Sequence, residues 1–300
     1  MKRNLINGWF FLDKPLGVTS NFVLQKIRKI FGNCKAGFVG TLDPLASGNL
    51  PIALGSATKT ISYIEKANKE YLFTIRWGRK TSTGDSEGSI LKEKKVFPAV
   101  EQIKNTLFSY IGEIEQNTPK FSSVKINGVR AYDLARRNIP FETKKRTILI
   151  KKIKLINQIS KEKAVFYVNC SAGTYIRSLA ESISNAMGTY GTLTELRRIG
   201  FGNCKKKLIS LDYLLSLVHS DDLNKLVHPI DVVFNEVRKI NLNEEQVKKV
   251  LTGSVIEMNQ NSDLSNEMCE KIVFAKHANR FIALGLIEKR NFHPKKLLII

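Results

Sequence analysis

The residue whose setting best suits chemistry is Asp43, in the segment GTLDPLASG over residues 40–48. The segment offers this carboxylate no neighbouring charge, so Asp43 does not belong to an ordinary solvated charged surface. Gly40 and Gly48 permit backbone angles closed to other residues, and Pro44 restrains both its own backbone and that of Asp43. A carboxylate positioned in this way is a candidate for catalysis. The same composition is also typical of a plain turn, and the nine residues alone favour that interpretation.

The charge of the chain is its most unusual overall property. Its 300 residues include 48 Lys and Arg against 27 Asp and Glu, which gives a formal net charge of +21 at pH 7 and a pI near 9.8. Basic pairs and triplets are spread over positions 136–137, 144–146, 151–152, 197–198, 205–207 and 295–296. This distribution indicates an extended polyanion as partner, and nucleic acid is the usual one. A lysine-rich proteome is the alternative explanation.

Several classes of protein find no support in the sequence. The longest apolar runs, such as residues 9–12 and 50–54, are far shorter than the roughly 20 residues of a membrane-spanning helix. Asp13 and Lys14 end the first apolar stretch before a signal-peptide core forms, which predicts a cytoplasmic protein. Free thiols are expected, without structural zinc or a disulfide framework, because the cysteines and histidines show no ligand spacing. They are Cys34, Cys170, Cys204 and Cys269, and His219, His228, His277 and His293.

The spacing of apolar residues predicts the elements that position Asp43. A strand over residues 8–12 is followed by a helix with Thr19 or Ser20 as N-cap and Gly32 after its end. The predicted buried stripe of this helix is Val23, Ile27, Ile30 and Phe31. A short strand, LPIALG, and a helical stretch through Ile61 and Ile64 come after the Asp43 segment. Alternation then predicts a half-buried strand that carries Tyr71, Phe73, Ile75 and Trp77.

The middle of the chain mixes helices and strands around one polar stretch. An amphipathic helix is predicted after Pro98, with Gly112 at its end and an apolar face of Val100, Ile103, Leu107 and Ile111. Residues 119–146 are poor core material, which indicates a surface insertion that grips a partner. Strands over 147–156 and 164–170 lead to a helix from Thr174, whose inward residues are Ile176, Leu179, Ile183 and Met187. No regular β-α-β rhythm appears, so the predicted fold class is α+β.

The character of the chain changes near residue 235 and predicts a second, smaller domain. A helix capped by Asn243, with Gln246 at its third position and Gly253 after its end, opens this region. Short strands are predicted over residues 271–275, 281–287 and 297–300. The predicted domains are therefore residues 1–235 and 236–300.

Several separated segments, spread over nearly the whole chain, together carry a resemblance to one known family. They are DKPLGVTS, KAGFVGTLDPLASG, LPIALGSATK, KEYLFTIRWGRKTSTGD, SSVKINGVRAYDLAR, CSAGTYIRSL, LRRIGFG and FIALGLIEKR. Together and in this order they resemble the bacterial tRNA pseudouridine synthase B family. The resemblance implies an isomerase that converts the T-loop uridine of tRNA to pseudouridine without a cofactor or a metal. It also implies a catalytic domain with a central mixed, largely antiparallel sheet flanked by helices and loops. The terminal region resembles a PUA domain, a small RNA-binding β-barrel.

The resemblance assigns roles to individual residues. Asp43 is implied as the catalytic nucleophile, Arg177 as the arginine that pairs with it, and Tyr71 as the residue that stacks on the target base. Asp43 can attack C1′ of the ribose or C6 of the uracil, or promote loss of a ribose proton, and the sequence leaves these routes open. Tyr175 and Leu196 correspond to residues near the same pocket. Spacing alone reads Arg177 as a surface arginine and Tyr71 as one aromatic of a strand.

By the same resemblance, residues 119–146 correspond to a loop that enters the T-stem-loop. The residues implied to meet phosphates are Lys125, Arg130, Arg136 and Arg137, with Tyr132 available to pack. The target uridine is folded into the tRNA elbow, so it must be extruded at a cost of a few kcal/mol. The expected partner is tRNA, with no membrane and no obligatory protein partner, and a monomer is expected.

The chain departs from the family pattern beside Asp43. Phe38 stands where the family usually has a histidine that contacts T-loop bases, and Val39 replaces a threonine. A phenyl ring stacks but cannot hydrogen-bond, so the sequence leaves the mode of base displacement at Phe38 open. Thr118, Phe121 and Ala172 also replace the usual Pro, Tyr and Lys.

Two alternatives to a standalone enzyme stay open at this level. A non-catalytic RNA-binding protein or tRNA folding chaperone would use the basic surface and the terminal domain, with Phe38 marking a decayed site. The presence of Asp43, Tyr71 and Arg177 argues against it. A guide-RNA-dependent relative would use partner proteins in place of the insertion, so the insertion favours independent recognition of RNA.

Overall fold

The structure is a computed structural model that describes residues 6–122, 124–218, 220–234, 237–258, 271–278 and 280–298. His219, Cys269, the predicted domain boundary at residue 235 and the last two residues of the predicted terminal strand lie outside these ranges. Within them, Cys34, Cys170 and Cys204 are free thiols. None of the helices formed by the described residues is long and apolar enough to cross a membrane.

The secondary structure alternates short helices with many strands. The strands are β1 Gly8–Lys14, β2 Ala36–Phe38, β3 Ala46–Leu54, β4 Lys69–Trp77, β5 Arg79–Thr81, β6 Ile90–Glu93, β7 Gly112–Asn117, β8 Lys125–Ile126, β9 Val129–Arg130, β10 Lys145–Ser160, β11 Lys163–Cys170, β12 Gly191–Phe201, β13 Ile209–Ser210, β14 Arg238–Asn241, β15 Ile256–Glu257, β16 Lys271–His277, β17 Arg280–Glu288 and β18 Asn291–Leu297. The α-helices are α1 Ser20–Ile30, α2 Ile61–Ile64, α3 Val100–Phe108, α4 Ala131–Arg136, α5 Ile176–Ala186, α6 Leu211–Ser216 and α7 Glu244–Leu251. Short 3-10 segments cover Gly55–Thr60, Asp221–Leu226 and Ile230–Val233.

One large sheet forms the centre of the molecule. In the described residues it has nine strands in the order β13-β1-β3-β12-β4-β11-β10-β7, with β2 paired to β3. The pairs β1 with β13 and β3 with β12 are parallel, and the other pairs are antiparallel. The sheet is therefore mixed and largely antiparallel, which agrees with the predicted α+β class.

The predictions for β4 and α1 are confirmed by burial and capping. Tyr71, Phe73, Ile75 and Trp77 are all buried, and Phe73 stacks on Phe166 of β11 with 5.3 Å between ring centroids. Alternation in β4 thus places one row of large side chains in the core. At the start of α1, the Thr19 side chain accepts a hydrogen bond from the backbone N–H of Phe22 at 3.1 Å.

Three elements differ from the sequence prediction. Strand β3 begins at Ala46, inside the segment interpreted as a turn, because its first residues pair in parallel with β12. The central strand β12 is absent from the prediction, since two of its positions are the adjacent charges Arg197 and Arg198. Helix α3 ends at Phe108, and Val100 and Ile111, expected on its buried face, are 37% and 49% exposed.

The predicted insertion leaves the sheet between two neighbouring strands. Strands β7 and β10 are antiparallel partners, with Asn117 opposite Lys145. Between them the chain forms the hairpin β8-β9 and the short helix α4. The insertion starts and ends at paired positions of two neighbouring strands, so both of its ends are fixed by the sheet.

The C-terminal region forms a second sheet of five strands among the described residues, in the order β14-β16-β17-β18-β15. Helix α7 carries the predicted capping box, in which Asn243 and Gln246 each bond the other's backbone N–H. Of the predicted strand over 297–300, Leu297 is the last residue of β18, Leu298 is outside the strand, and residues 299–300 lie outside the described residues. The two sheets share an apolar cluster that includes Trp9, Phe11, Phe234, Phe274 and Leu284.

Candidate active site

Asp43 lies in the loop between β2 and β3, and hydrogen bonds hold this loop in place. The Ser20 hydroxyl donates to the Leu42 carbonyl at 2.8 Å and accepts from the Leu42 backbone N–H at 2.9 Å. The N–H of Gly17 donates to the carbonyl of Pro44 at 2.9 Å. The segment is therefore a loop with a turn at residues 44–45 that leads into β3, and this loop positions a carboxylate whose side chain is 41% exposed.

Gly40 brings the loop close to a buried arginine. Its backbone has φ +68°, which favours glycine, and a Cβ there would lie 2.8 Å from Nη1 of Arg198. Any side chain at this position would both strain the backbone and collide with the guanidinium. The loop that carries Asp43 thus lies directly on Arg198.

Arg177, in the first turn of α5, forms an ion pair with Asp43. Its Nη2 lies 2.9 Å from Oδ2 of the carboxylate, and its side chain is only 7% exposed. The guanidinium also donates to the carbonyls of Thr83 at 3.1 Å and Phe121 at 2.9 Å. A planar guanidinium held by these carbonyls fixes the direction of the carboxylate that it contacts. Spacing alone reads Arg177 as a surface arginine, and its burial shows that reading to be wrong.

Asp85 is a second partner of this arginine, and pattern analysis missed it. Its carboxylate lies 3.7 Å from Nε of Arg177 and is 5% exposed. It accepts hydrogen bonds from the Thr83 hydroxyl and, at 3.1 Å, from the backbone N–H of Glu87. Arg177 therefore bridges an accessible carboxylate and a buried one. The segment TSTGDSEG has the composition of a polar loop, which hides a buried ion pair.

Tyr71, on β4, is buried, and its side chain lies at the site that Asp43 and Arg177 form. Burial raises the pKa of this phenol, and the nearby guanidinium of Arg198 acts in the opposite direction. Lys69, two residues earlier, is also buried, and burial lowers the pKa of its amine to about 8. An ordinary phenol is already neutral at neutral pH, and burial disfavours its ionisation further.

Another buried amine, Lys14, supports the Asp43 loop from β1. Its Nζ donates to the carbonyls of Pro15 at 2.8 Å and Val18 at 2.7 Å. Burial lowers the pKa of this amine to about 8, although the charge of Asp43 acts in the opposite direction. These bonds shape the turn DKPLG, in which Gly17 contacts the Asp43 loop.

The loop, β4 and α5 surround one cavity of about 600 Å³. All three predicted catalytic residues line it, together with three of the predicted substrate contacts. These six residues are Asp43, Tyr71, Arg177, Phe38, Tyr175 and Leu196. Among the described residues, no cluster of three or more His, Cys, Asp or Glu has the arrangement of a metal site.

Tyr175 is fixed at the N-terminus of α5 by side chains from the neighbouring strands. The Gln116 amide donates to its carbonyl at 3.0 Å and accepts from its N–H at 2.8 Å. The guanidinium of Arg146 lies 5.1 Å from the centroid of its ring, and also donates to the carbonyl of Gly173 at 3.3 Å. Gln116 and Arg146 are therefore positioning residues that the sequence analysis did not identify.

The remaining predicted contacts lie on the insertion, outside this cavity. Lys125, Arg130, Tyr132 and Arg136 are exposed. The Tyr132 ring packs edge-on against Phe121 at 6.0 Å between centroids, and the Arg136 guanidinium lies 5.7 Å from the Tyr132 ring centroid. Phe121, at the start of the insertion, therefore contacts Tyr132 of α4 through its ring and Arg177 through its carbonyl.

The fold has counterparts among solved structures. A chain from an H/ACA RNP bound to a substrate RNA containing 2'-deoxyuridine matches with a TM-score of 0.72 at 23% identity, over 98% of this chain and 85% of that chain. A chain from a Cbf5-Nop10-Gar1 complex matches with a TM-score of 0.72 at 25% identity, over 97% and 85%. The first of these likenesses shows a shared fold.

Sequence similarity then gives the family. The family model described as TruB family pseudouridylate synthase, N-terminal domain, matches residues 28–176. The tRNA pseudouridine synthase B of Caulobacter vibrioides is 34% identical over 99% of this chain and 97% of its own length. That of Ehrlichia ruminantium is 37% identical over 87% and 90%. The chain belongs to the TruB family of pseudouridylate synthases, so the resemblance of the separated segments is confirmed.

Proposed function

We propose that this chain converts the T-loop uridine of tRNA to pseudouridine, with Asp43 as the nucleophile. The observation that carries the proposal is the 2.9 Å ion pair between Asp43 and Arg177, at a cavity that Tyr71 also lines. The similar proteins from Caulobacter vibrioides and Bartonella bacilliformis are named tRNA pseudouridine synthase B, which supports tRNA as the substrate class.

The reaction is an isomerisation of one nucleotide. The bond between C1′ and N1 breaks, the uracil rotates, and a bond forms between C1′ and C5. N1 gains a proton and C5 loses one, so atoms balance without a cofactor. Asp43 starts this sequence by attack on C1′ or C6 or by taking a ribose proton, and each route needs an aimed carboxylate. Arg177 supplies the aim, since it holds Oδ2 of a side chain that stays 41% exposed.

The cavity accommodates the extruded nucleotide. Its volume of about 600 Å³ lies within the range of about 300–1,000 Å³ found for small-molecule sites. In this proposal the ring of Tyr71 stacks on the uracil, while Tyr175 and Leu196 form other parts of the cavity wall. Phe38 offers an apolar ring at the cavity edge, so stacking holds a displaced base there.

The insertion and the C-terminal region hold the RNA around this nucleotide. Exposed cations of residues 119–146, among them Lys125 and Arg130, contact phosphates of the T-stem-loop. Residues 236–300 act as a PUA-like RNA-binding domain, and residues 1–235 as the catalytic domain. In support, the second sheet has an apolar cluster of its own, which includes Ile240, Val250, Val273 and Phe292.

The chain acts as a cytoplasmic monomer without an obligatory protein partner in this proposal. Supporting this, the insertion carries exposed cations of its own, among them Lys125, Arg130 and Arg136. A guide-RNA-dependent protein would need partners to provide such contacts.

The test is pseudouridine mapping on unmodified tRNA incubated with the purified chain. Wild type is expected to form pseudouridine in the T-loop, whereas Asp43→Asn loses at least about three powers of ten in rate because the nucleophile is removed. Asp222→Asn is the matched control, because this exposed aspartate contacts Lys225 on the surface at 2.6 Å. Its rate should equal that of wild type.

Three outcomes would contradict parts of the proposal. Wild-type product formation by Asp43→Asn would remove the nucleophile assignment. Pseudouridine only at another tRNA position would overturn the T-loop as target. Faster refolding of tRNA by a wild-type protein that never makes product would favour the RNA chaperone.

A further inference from the structure

Arg198 is a buried cation for which the proposed reaction gives no role. Its side chain on β12 is fully buried beneath the Asp43 loop. Its Nε donates to the Asn49 carbonyl at 2.6 Å, and Nη2 donates to the Val39 carbonyl at 3.3 Å. No carboxylate of the described residues forms an ion pair with it. Burial of a guanidinium without a counter-ion is costly, so another interaction must justify its position.

A second cation is buried beside it. Lys69 is 5% exposed, and its amine donates to the carbonyls of Glu65 at 3.0 Å and Ala67 at 2.8 Å. The Lys69 amine and the Arg198 guanidinium lie 5.2 Å and 6.0 Å from the centroid of the same Phe201 ring. Positive charge is therefore concentrated at the part of the cavity wall that Lys69 and Arg198 line.

The group that faces this charge is the phenol of Tyr71. Strands β12 and β4 are antiparallel, and Arg198 lies directly opposite Tyr71 in their register. Residues directly opposite in a ladder have side chains on the same face of the sheet, and both of these side chains line the cavity. A guanidinium has only N–H donors, so in a hydrogen bond between the two side chains the phenol oxygen is the acceptor. The phenol O–H is then left to donate to a different group.

We propose that Arg198 is a positioning residue that holds the Tyr71 phenol oxygen as an acceptor and thereby directs its hydroxyl hydrogen into the cavity, toward the extruded nucleotide. Arg198 acts only through Tyr71 and does not touch the substrate. The inference rests on the proposed function in one respect, that Tyr71 acts on that nucleotide. The buried positive charge also favours negative charge that develops on the phenol oxygen, against the effect of burial.

A double-mutant cycle separates this role from a merely structural one. Arg198→Met should lower kcat on unmodified tRNA by about 10- to 100-fold with KM little changed, as expected for loss of a hydrogen bond from a charged group. In a Tyr71→Phe background the same substitution should cost less than about 3-fold, because the acceptor is already gone. Arg198→Lys keeps the charge and should recover part of kcat.

The matched control is Arg197→Met, on the opposite face of the same strand. Arg197 pairs with Asp13 through two hydrogen bonds of 2.9 and 2.7 Å and is 43% exposed. Its substitution should have the same effect in the wild-type and Tyr71→Phe backgrounds.

A measurement without substrate completes the test. In protein labelled at the tyrosine Cζ carbon, Arg198→Met should shift the Tyr71 signal at neutral pH, while Arg197→Met leaves it in place. Equal losses of kcat in both backgrounds with an unmoved Tyr71 signal would overturn the inference and leave Arg198 as an anchor for the Val39 and Asn49 carbonyls. If Arg198→Met does not fold, the Tyr71 Cζ signal is measured in Arg198→Lys instead, and an unmoved signal in that variant would overturn the inference. Failure of the proposed function would show as missing T-loop product in wild type and would leave the Tyr71 signal readable.

Discussion

The Asp43 site and the insertion meet at one cavity, but they are built in opposite ways. At the site, charges are buried and held: Arg177 is 7% exposed and Asp85 is 5% exposed. On the insertion, Lys125, Arg130 and Arg136 are exposed, and the helix beside them is only six residues long. Chemistry on C1′ requires fixed distances, whereas phosphate contacts tolerate movement. The residues that orient the Asp43 carboxylate are therefore buried and fixed, whereas the residues that contact RNA in the proposed function are exposed.

Substitution of Arg177 tests this separation with the largest expected effect. Arg177→Met should lower kcat by at least about 100-fold, because Asp43 loses its aim and Asp85 is left buried and unpaired. Affinity for tRNA should stay close to that of wild type, as measured by filter binding. Arg76→Met is the control, since Arg76 pairs with Glu162 in a partly exposed position. A loss of affinity as large as the loss of kcat would erase the distinction between the two regions.

The buried amine of Lys69 predicts a pH effect that the exposed cations do not share. Its pKa is about 8 in the folded protein against an ordinary value of 10.5. Between these values the unfolded chain binds more protons than the folded one, so the free energy of unfolding rises with pH in this window. The slope from this group is at most about 1.4 kcal/mol per pH unit.

Urea unfolding at pH 8 and pH 9.5 measures this effect. The stability of wild type relative to Lys69→Met should increase at the higher pH by about 1 kcal/mol. Arg136→Met serves as control, because arginine does not titrate in this range. A constant difference between wild type and Lys69→Met would show that the amine is not perturbed by burial.

Two glycines distinguish backbone strain from the contact with Arg198. Gly188 has φ +72° and open space around it, whereas Gly40 has φ +68° and lies on the guanidinium. Gly188→Ala should cost about 1 kcal/mol in the free energy of unfolding, which is the backbone term alone. Gly40→Ala should cost more and should also lower kcat. Equal costs in thermal unfolding would mean that the loop is not pressed on Arg198.

The insertion should give the smallest and most uniform effects. Arg130→Ala and Arg136→Ala should each weaken tRNA binding by less than about tenfold and reduce the salt slope by about one. The value of kcat at saturating tRNA should not change. Lys104→Ala on α3 is the control, because this exposed lysine pairs with Glu101 on the surface. A salt slope equal to that of wild type in both variants would remove the insertion from the RNA interface.

Sequence patterns predict the regular parts of this fold and miss the exceptions to them. Alternation identifies β4, and the Thr19 cap identifies the start of α1, because both follow local rules. Strand β12 escapes, since Arg198 is a charged residue on a buried face. Its guanidinium donates to carbonyls of two other segments, and such long-range partners leave no local signal.

The candidate site shows the same limit more sharply. Asp43 was identified in the sequence, but its nine residues favoured a plain turn. Arg177 gained a role only through the resemblance of separated segments, because spacing places it in an ordinary first helical turn. Asp85 gained none, since its burial depends on α5 packing over a loop of polar composition.

One nitrogen atom joins the two regions that this molecule otherwise keeps apart. Nη2 of Arg177 contacts Oδ2 of Asp43 at 2.9 Å and the carbonyl of Phe121, at the start of the insertion, also at 2.9 Å. A displacement of Phe121 therefore acts on the same guanidinium nitrogen that holds the Asp43 carboxylate. Under the proposed function, an RNA that is seated badly in the insertion would therefore react slowly even while it stays bound.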